Sequence, residues 1–150
     1  MEKIKSFTDL DTWKEAHSLV LMIYEITKNF PKEEKFGLVN QMRRAGVSIT
    51  SNIAERFSRQ SSKEKLQFYF MAKGSNIELQ NQLLISKDVG YLDKGTFDRL
   101  VQQSVRVNKL ISGLVRHCKK WIPHTQYPIP NTQYEIPHTQ YPINDWRFSI

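Results

Sequence analysis

Between Phe30 and Arg59 the chain reads FPKEEKFGLVNQMRRAGVSITSNIAERFSR, and the spacing inside this stretch allows few folds. Leu38, Met42, Ala45, Ile49 and Ile53 recur at steps of four, three, four and four, while Val39, Gly46 and Phe57 widen the stripe. That period belongs to an α-helix with one face buried in a core; a strand would alternate every second residue. Beside the stripe runs a polar row. Gln41, Ser48, Asn52 and Glu55 stand seven, four and three residues apart, which sets amide, hydroxyl and carboxylate groups along one edge of the helix, where they can bond a neighbouring helix or line an interface.

Three more segments carry the same period. A first helix runs from a cap at Thr8 or Asp9 to about Asn29, where Phe30-Pro31 stops it. It shows two adjacent seams, Leu10, Trp13, His17, Val20, Tyr24, Thr27 and Ala16, Leu19, Ile23, Ile26, Phe30, so it meets two neighbours, as in a bundle. His17 has no second ligand at metal spacing and reads as an interface histidine. The second helix starts after Pro31, with Glu33 and Glu34 at its positive end, and stops near Phe57. Ser61 and Glu64 form a capping box for a third helix that reaches Val89 before Gly90. Leu66, Phe70, Ile77, Leu84 make one apolar line on it and Phe68, Ala72, Leu79, Leu83 another. Gly74 and Ser75 interrupt the bulk; a mid-helix glycine costs about 1 kcal/mol against alanine, which predicts close approach of another backbone, with Gly46 as the matching small position. Asp93 or Thr96 caps a fourth helix with an unbroken heptad, Phe97, Leu100, Ser104, Val107, Ile111, Leu114, Cys118, Trp121. The expected fold is all-α, an antiparallel up-down four-helix bundle over residues 1–121.

Composition narrows the class. The 150 residues suffice for one domain with a real core, and the single cysteine, Cys118, falls in an apolar seam as a reduced, buried thiol. The longest apolar run, Leu19 to Tyr24, is too short to span a bilayer, and the first fifteen residues are too charged for a signal peptide. A cytoplasmic protein without membrane contact is expected. Net charge is +7, and residues 1–121 hold 21 of the 22 Lys/Arg but 13 of the 15 Asp/Glu, so the basic character belongs to the bundle. Residues 122–150 change character: IPHTQYP, IPNTQYE and IPHTQYP follow one another as a proline-bearing repeat, for which a disordered or extended tail is expected. His124 and His138 within it lack partners at metal spacing. No Gly-rich phosphate loop, HExxH, CxxC or Gly-x-Ser-x-Gly occurs, and the Glu-x-x-His pairs of a di-iron bundle are missing. The expectation is a protein that is no enzyme and uses no cofactor or metal.

FPKEEKFGLVNQMRRAGVSITSNIAE followed by AKGSNIELQNQLLISKDVGYL closely resembles the bacterial four helix bundle proteins also called 23S rRNA intervening-sequence proteins, over about residues 6–120. The resemblance rests on the Phe-Pro-x-x-Glu entry, Gln41 with Arg43-Arg44, Ser48-Ile49, Asn52-Ile53-Ala54-Glu55 and Gly74-Ser75-x-x-Glu78-Leu79. It implies a homopentameric ring or barrel of antiparallel bundles. Members are often encoded within insertions in large-subunit rRNA genes, and a distant relative is the accessory protein of diversity-generating retroelements, which works with a reverse transcriptase and RNA. Arg56 stands where the family pattern usually has Gly, and the repeat tail lies outside the pattern.

Two readings follow. In one, Arg43, Arg44, Arg56, Arg59, Lys63 and Lys65, set around the junction of the second and third helices, face the phosphates of RNA. In the other, the chain is a structural or protein-docking oligomer, with Arg44 and Glu55 in internal or intersubunit ion pairs; in either, Gln41, Ser48, Asn52, Glu55, Gly74, Ser75 and Glu78 form a polar seam or interface. If the tail is an appendage, truncation after Trp121 leaves helicity and melting temperature nearly unchanged. Circular dichroism of the truncated chain checks this.

Overall fold

A computed structural model describes residues 4–122, and the 123–150 part of the repeat tail lies outside the described residues. The described residues form four α-helices with no strand among them: α1 Asp11–Thr27, α2 Leu38–Ser58, α3 Ser62–Asp88 and α4 Lys94–Lys119. Each helix packs on the next and α1 closes the square against α4, the arrangement of an up-down bundle. The antiparallel sense is visible in the contacts. Going up α2, Arg56, Ser48 and Met42 meet Tyr69, Ser75 and Ser86 of α3 in turn. Along α3, Phe70, Asn76 and Lys87 meet Lys119, Ser104 and Phe97 of α4.

The helix ends follow from local chemistry. Ser61 caps α3 by accepting from Glu64 N at 3.2 Å, while its hydroxyl donates to Glu64 Oε2 at 2.9 Å; Gly90, at φ +87°, ends the helix in the left-handed region that glycine tolerates. Asp93 caps α4, accepting from Thr96 N at 2.8 Å. The expected side-chain cap of α1 at Thr8 or Asp9 does not form, since Leu10 holds the cap position without a side-chain bond, and the capping residue here is Ser6. It opens a 3₁₀ turn, Phe7–Asp9, and Asp9 Oδ2 returns the favour by accepting from Ser6 N at 2.9 Å, so α1 begins only at Asp11. After Pro31 a 3₁₀ turn, Lys32–Phe36, precedes α2, and Glu34 caps α2 from that turn by accepting from Leu38 N at 2.9 Å.

Ala16, Leu19 and Ile23 of α1 meet Met42, Ala45, Ile49 and Ile53 of α2, with Leu66, Tyr69, Ala72, Leu79, Leu83 of α3 and Leu100, Val107, Ile111 of α4, in one core. Burial of each large side chain contributes about 1.5–3 kcal/mol. Of the two α1 seams, the one through Ala16 and Leu19 is the core. The other is mixed: His17 and Tyr24 are exposed, His17 stacked on the Trp13 ring at 4.7 Å and Tyr24 lying under Arg43 at 4.7 Å, so His17 is a surface residue and no helix interface surrounds it.

α3 departs furthest from expectation. Its buried line is Leu66, Tyr69, Ala72, Asn76, Leu79, Leu83, whereas Phe70, Ile77 and Leu84 point outward, with Ile77 58% exposed. Both lines are apolar, so periodicity alone does not orient the helix. Asn76 does: fully buried, it donates to Ser104 O at 3.0 Å and accepts from Ser104 Oγ at 2.9 Å, while Gln80 donates to the same hydroxyl at 2.8 Å. Leaving one such buried partner unpaired costs about 1–3 kcal/mol, enough to hold the α3–α4 register.

The expected Gly46–Gly74 contact does not form. Gly46 lies against Val20 of α1, where a Cβ would stand 3.5 Å from Val20 Cγ2, and Gly74 faces open space on the outer side of α3. The α4 heptad holds as far as Cys118, which is buried; Trp121 lies beyond the helix end and is 71% exposed. Ile122 is buried instead, so the bundle extends one residue past the expected boundary. A cut after Ile122 therefore spares the core better than one after Trp121.

Ile49 is fully buried at the centre of α2. Ile49→Asp places an unpaired charge there and is expected to abolish cooperative folding in thermal melts. A soluble, cooperatively melting Ile49→Asp protein would overturn this placement of the α2 face.

Candidate nucleic-acid interface

The turn between α2 and α3 is three residues, Arg59 to Ser61, and it folds the end of one basic helix onto the start of another. Four of the six expected cations gather here. The Arg56 guanidinium lies over the Tyr69 ring at 5.1 Å and that of Arg59 over the Phe68 ring at 5.0 Å, while Arg59 also pairs with Glu55 one turn back. Stacking on aromatic faces holds both guanidinium groups in place and leaves their charge at the surface. Lys63 is exposed and Lys65 half-buried on the first turns of α3.

Because α3 and α4 are antiparallel, the end of α4 reaches the same place. Lys119 Nζ stands 5.8 Å over the Phe70 ring, and Arg116 and Lys120 are exposed beside it. These three were not among the sequence candidates; they sit at the end of the fourth helix and become neighbours of the α2–α3 turn only through the fold. Together, Arg56, Arg59, Lys63, Lys65, Arg116, Lys119 and Lys120 face only Glu55 and Glu64 among the carboxylates of these segments. The opposite end of the bundle is balanced, with Lys28 paired to Glu25, Lys87 to Asp88 and Lys94 to Asp98.

Arg43 and Arg44 stay apart from this group. Arg44 and Arg56 are separated by about 18 Å along α2. Arg43 is engaged with α1, donating through Nε to Thr27 Oγ1 at 2.9 Å and covering Tyr24, while Arg44 is exposed. The polar row also divides. Ser48 bonds Ser75 across the α2–α3 interface at 2.8 Å, and buried Asn52 donates to Ser48 O at 2.8 Å. Gln41 and Gly74 are exposed and take no part; Glu55 turns to Arg59, and exposed Glu78 accepts from Gln82 at 3.2 Å.

Beneath the basic end, the Tyr69 hydroxyl is buried with no hydrogen-bond partner, as are Nε of Arg56 and Nε of Arg59. Burial pushes the Tyr69 phenol well above its ordinary value, against the smaller opposing effect of the Arg56 charge. Among the described residues no three His, Cys, Asp or Glu side chains stand together to hold a metal, and no helix is long and apolar enough to cross a membrane.

The model of the family described as 23S rRNA-intervening sequence protein matches residues 8–113, most of the bundle. This chain belongs to that family. Among solved structures, this chain is similar to a protein of unknown function from the S23 ribosomal protein family of Bacteroides thetaiotaomicron, at 19% identity and a TM-score of 0.65, covering 70% of this chain and 95% of that one. That likeness shows a shared fold. Comparison with curated proteins gives no match. In this member of the intervening-sequence family, Arg116, Lys119, Lys120 and Trp121 lie beyond the matched residues.

Tyr69 yields a test of this end of the fold. Its pKa is higher in the folded chain than in the unfolded one, so its contribution to stability is intact below about pH 10 and is lost as the pH rises above that value. Tyr69→Phe removes the partnerless hydroxyl. It should leave stability at pH 7 unchanged or raise it by about 1 kcal/mol, and should melt above the parent by a margin that widens beyond pH 10. Paired thermal melts at neutral and alkaline pH measure both.

Proposed function

We propose that this intervening-sequence family member is a non-enzymatic, cytoplasmic homo-oligomer that associates with RNA through the basic end of its bundle. The observation that carries the reading is the set of seven cations brought to one end by the α2–α3 turn and the close of α4, against Glu55 and Glu64 in those segments and Asp9 and Asp11 where α1 begins at the same end. A cluster of this kind gains affinity for a polyanion by releasing condensed counterions, without needing a fixed base sequence. The family name associates these proteins with 23S rRNA genes and is consistent with an RNA partner.

Assembly is supported by a separate feature. Phe70, Met71, Ile77, Leu84, Ile85 and Val89 form an exposed apolar band down the outer side of α3, and such a band on a bundle this size calls for cover by another copy. A pentamer is the count that the family resemblance implies. Repetition around a ring would multiply the positive field of the basic ends.

Size-exclusion chromatography with light scattering, read at protein and nucleic-acid wavelengths, tests both parts. The expected result is a multimer carrying nuclease-sensitive mass. Arg56→Glu/Arg59→Glu should weaken RNA binding at least tenfold and flatten its salt dependence, with the multimer intact. A multimer free of nucleic acid, with salt-insensitive capture of a protein partner, would favour the docking-scaffold reading, in which a reverse transcriptase or another protein is the partner. A monomer would remove the basis of both.

A further inference from the structure

The outer face of α4 carries a second pattern, which shares Arg116 and Lys120 with the basic end and extends away from it. Arg99, Gln102, Arg106, Lys109, Gly113, Arg116 and Lys120 follow one another at steps of three and four, the spacing of a single helix face. All but Gly113, which is half-buried, are exposed. From Arg99 to Lys120 the chain contains no Asp or Glu at all, and among the described residues only Arg106 of the five cations in this row has an acidic partner, Glu15 of α1 at 2.9 Å. The row is about 30 Å long. A solvated helix face ordinarily mixes signs, as α1 does with Lys14 beside Asp11.

Gly113 makes the row uneven in a specific way. A Cβ there would meet nothing closer than Arg116 Nη2, at 3.9 Å, so the face drops to bare backbone between Lys109 and Arg116. The row ends in an aromatic pair. Trp121 is 71% exposed, and its ring meets His117 edge-on with centroids 6.4 Å apart, so most of the indole is open to solvent. Its packing explains nothing in the fold, since Ile122 and Cys118 close the core at this level. An exposed indole at the end of a row of cations is the combination that holds single-stranded nucleic acid, the cations on the phosphates and the ring on an unpaired base. A duplex offers no open base, and an acidic protein would gain little from the indole.

We propose that the outer face of α4 is a binding track for single-stranded RNA, with Arg99, Lys109, Arg116 and Lys120 on the backbone and Trp121 stacking an unpaired base. The proposal rests on the RNA reading of the basic end and adds to it a strand preference and the contacts of Arg99, Lys109 and Trp121, which that end does not contain. Trp121 lies where the two surfaces meet, so one strand can run from the α4 face onto the α2–α3 turn.

The test uses the full chain and a fluorescein-labelled twenty-nucleotide oligouridylate, alone and annealed to oligoadenylate, by anisotropy across a salt series. Trp121→Ala should weaken the single strand about tenfold, leave the duplex nearly unaffected, and leave the salt slope in place. Trp121→Phe should restore most of the loss. Arg99→Gln/Lys109→Gln, both outside the basic end, should reduce the salt slope for the single strand by about 1.4, the release expected for two phosphate contacts. All of these side chains are at the surface, and unchanged thermal melts will show that the fold is retained. The proposal is overturned if both variants bind the single strand as the parent does, or if polyglutamate competes as well as unlabelled oligouridylate. If the α4 variants bind normally while Arg56→Glu/Arg59→Glu does not, the basic-end reading stands and the α4 track fails. If the parent binds neither strand nor duplex, the RNA reading itself fails.

Discussion

The hydrogen bonds between Asn76 and Ser104 set the height at which α3 and α4 pack, and the rest of the molecule follows from that height. Both groups are fully buried, so a slip of one turn would strand an amide and a hydroxyl in an apolar core. With the register held, the close of α4 falls beside the opening of α3, Lys119 reaches the Phe70 ring, and three cations from a distant part of the chain join those of the α2–α3 turn. The same bonds orient α3. A helix apolar on two faces could bury either, and the amide of Asn76 chooses the face that carries Tyr69, Ala72, Leu79 and Leu83.

The four helices were legible in the sequence because each carries a stripe at the helical period and a stop residue in the right place. Ser61, Gly90 and Asp93 are side-chain or backbone signals that act within four residues, so they read directly from the chain. The polar contact Ser48–Ser75 was legible in half, since Ser48 and Asn52 lie on one edge of α2 but nothing in the sequence names the partner helix. What escaped was whatever depends on two stripes competing for one core. On α3 the outward line Phe70, Ile77, Leu84 is as apolar as the inward one, and on α1 the line through His17 and Tyr24 runs beside the true core line. Glycine was misleading for a related reason: Gly46 and Gly74 look complementary in sequence, yet they face different directions once α2 and α3 are rotated by their buried amides.

The basic end was legible in part as well. Arg56, Arg59, Lys63 and Lys65 are close in sequence and stay close in space, because only a short turn separates them. Arg43 and Arg44 precede them on the same helix, but an α-helix converts twelve residues into about 18 Å, and Arg43 is drawn onto Tyr24 and Thr27 instead. Arg116, Lys119 and Lys120 needed the tertiary fold. The feature that could have signalled them is the absence of any acid between Arg99 and Lys120, which marks the face without naming its neighbours.

That absence has an electrical consequence. One end and one side of the bundle are positive while the other end is balanced by ion pairs, so the folded chain carries a permanent dipole with a component along the helix axes. In a cyclic assembly the sideways components of such dipoles cancel around the ring, and the axial components add. A ring of these bundles would thus have one positive mouth, and a polyanion approaching from solution would be turned toward that mouth before it touched any side chain.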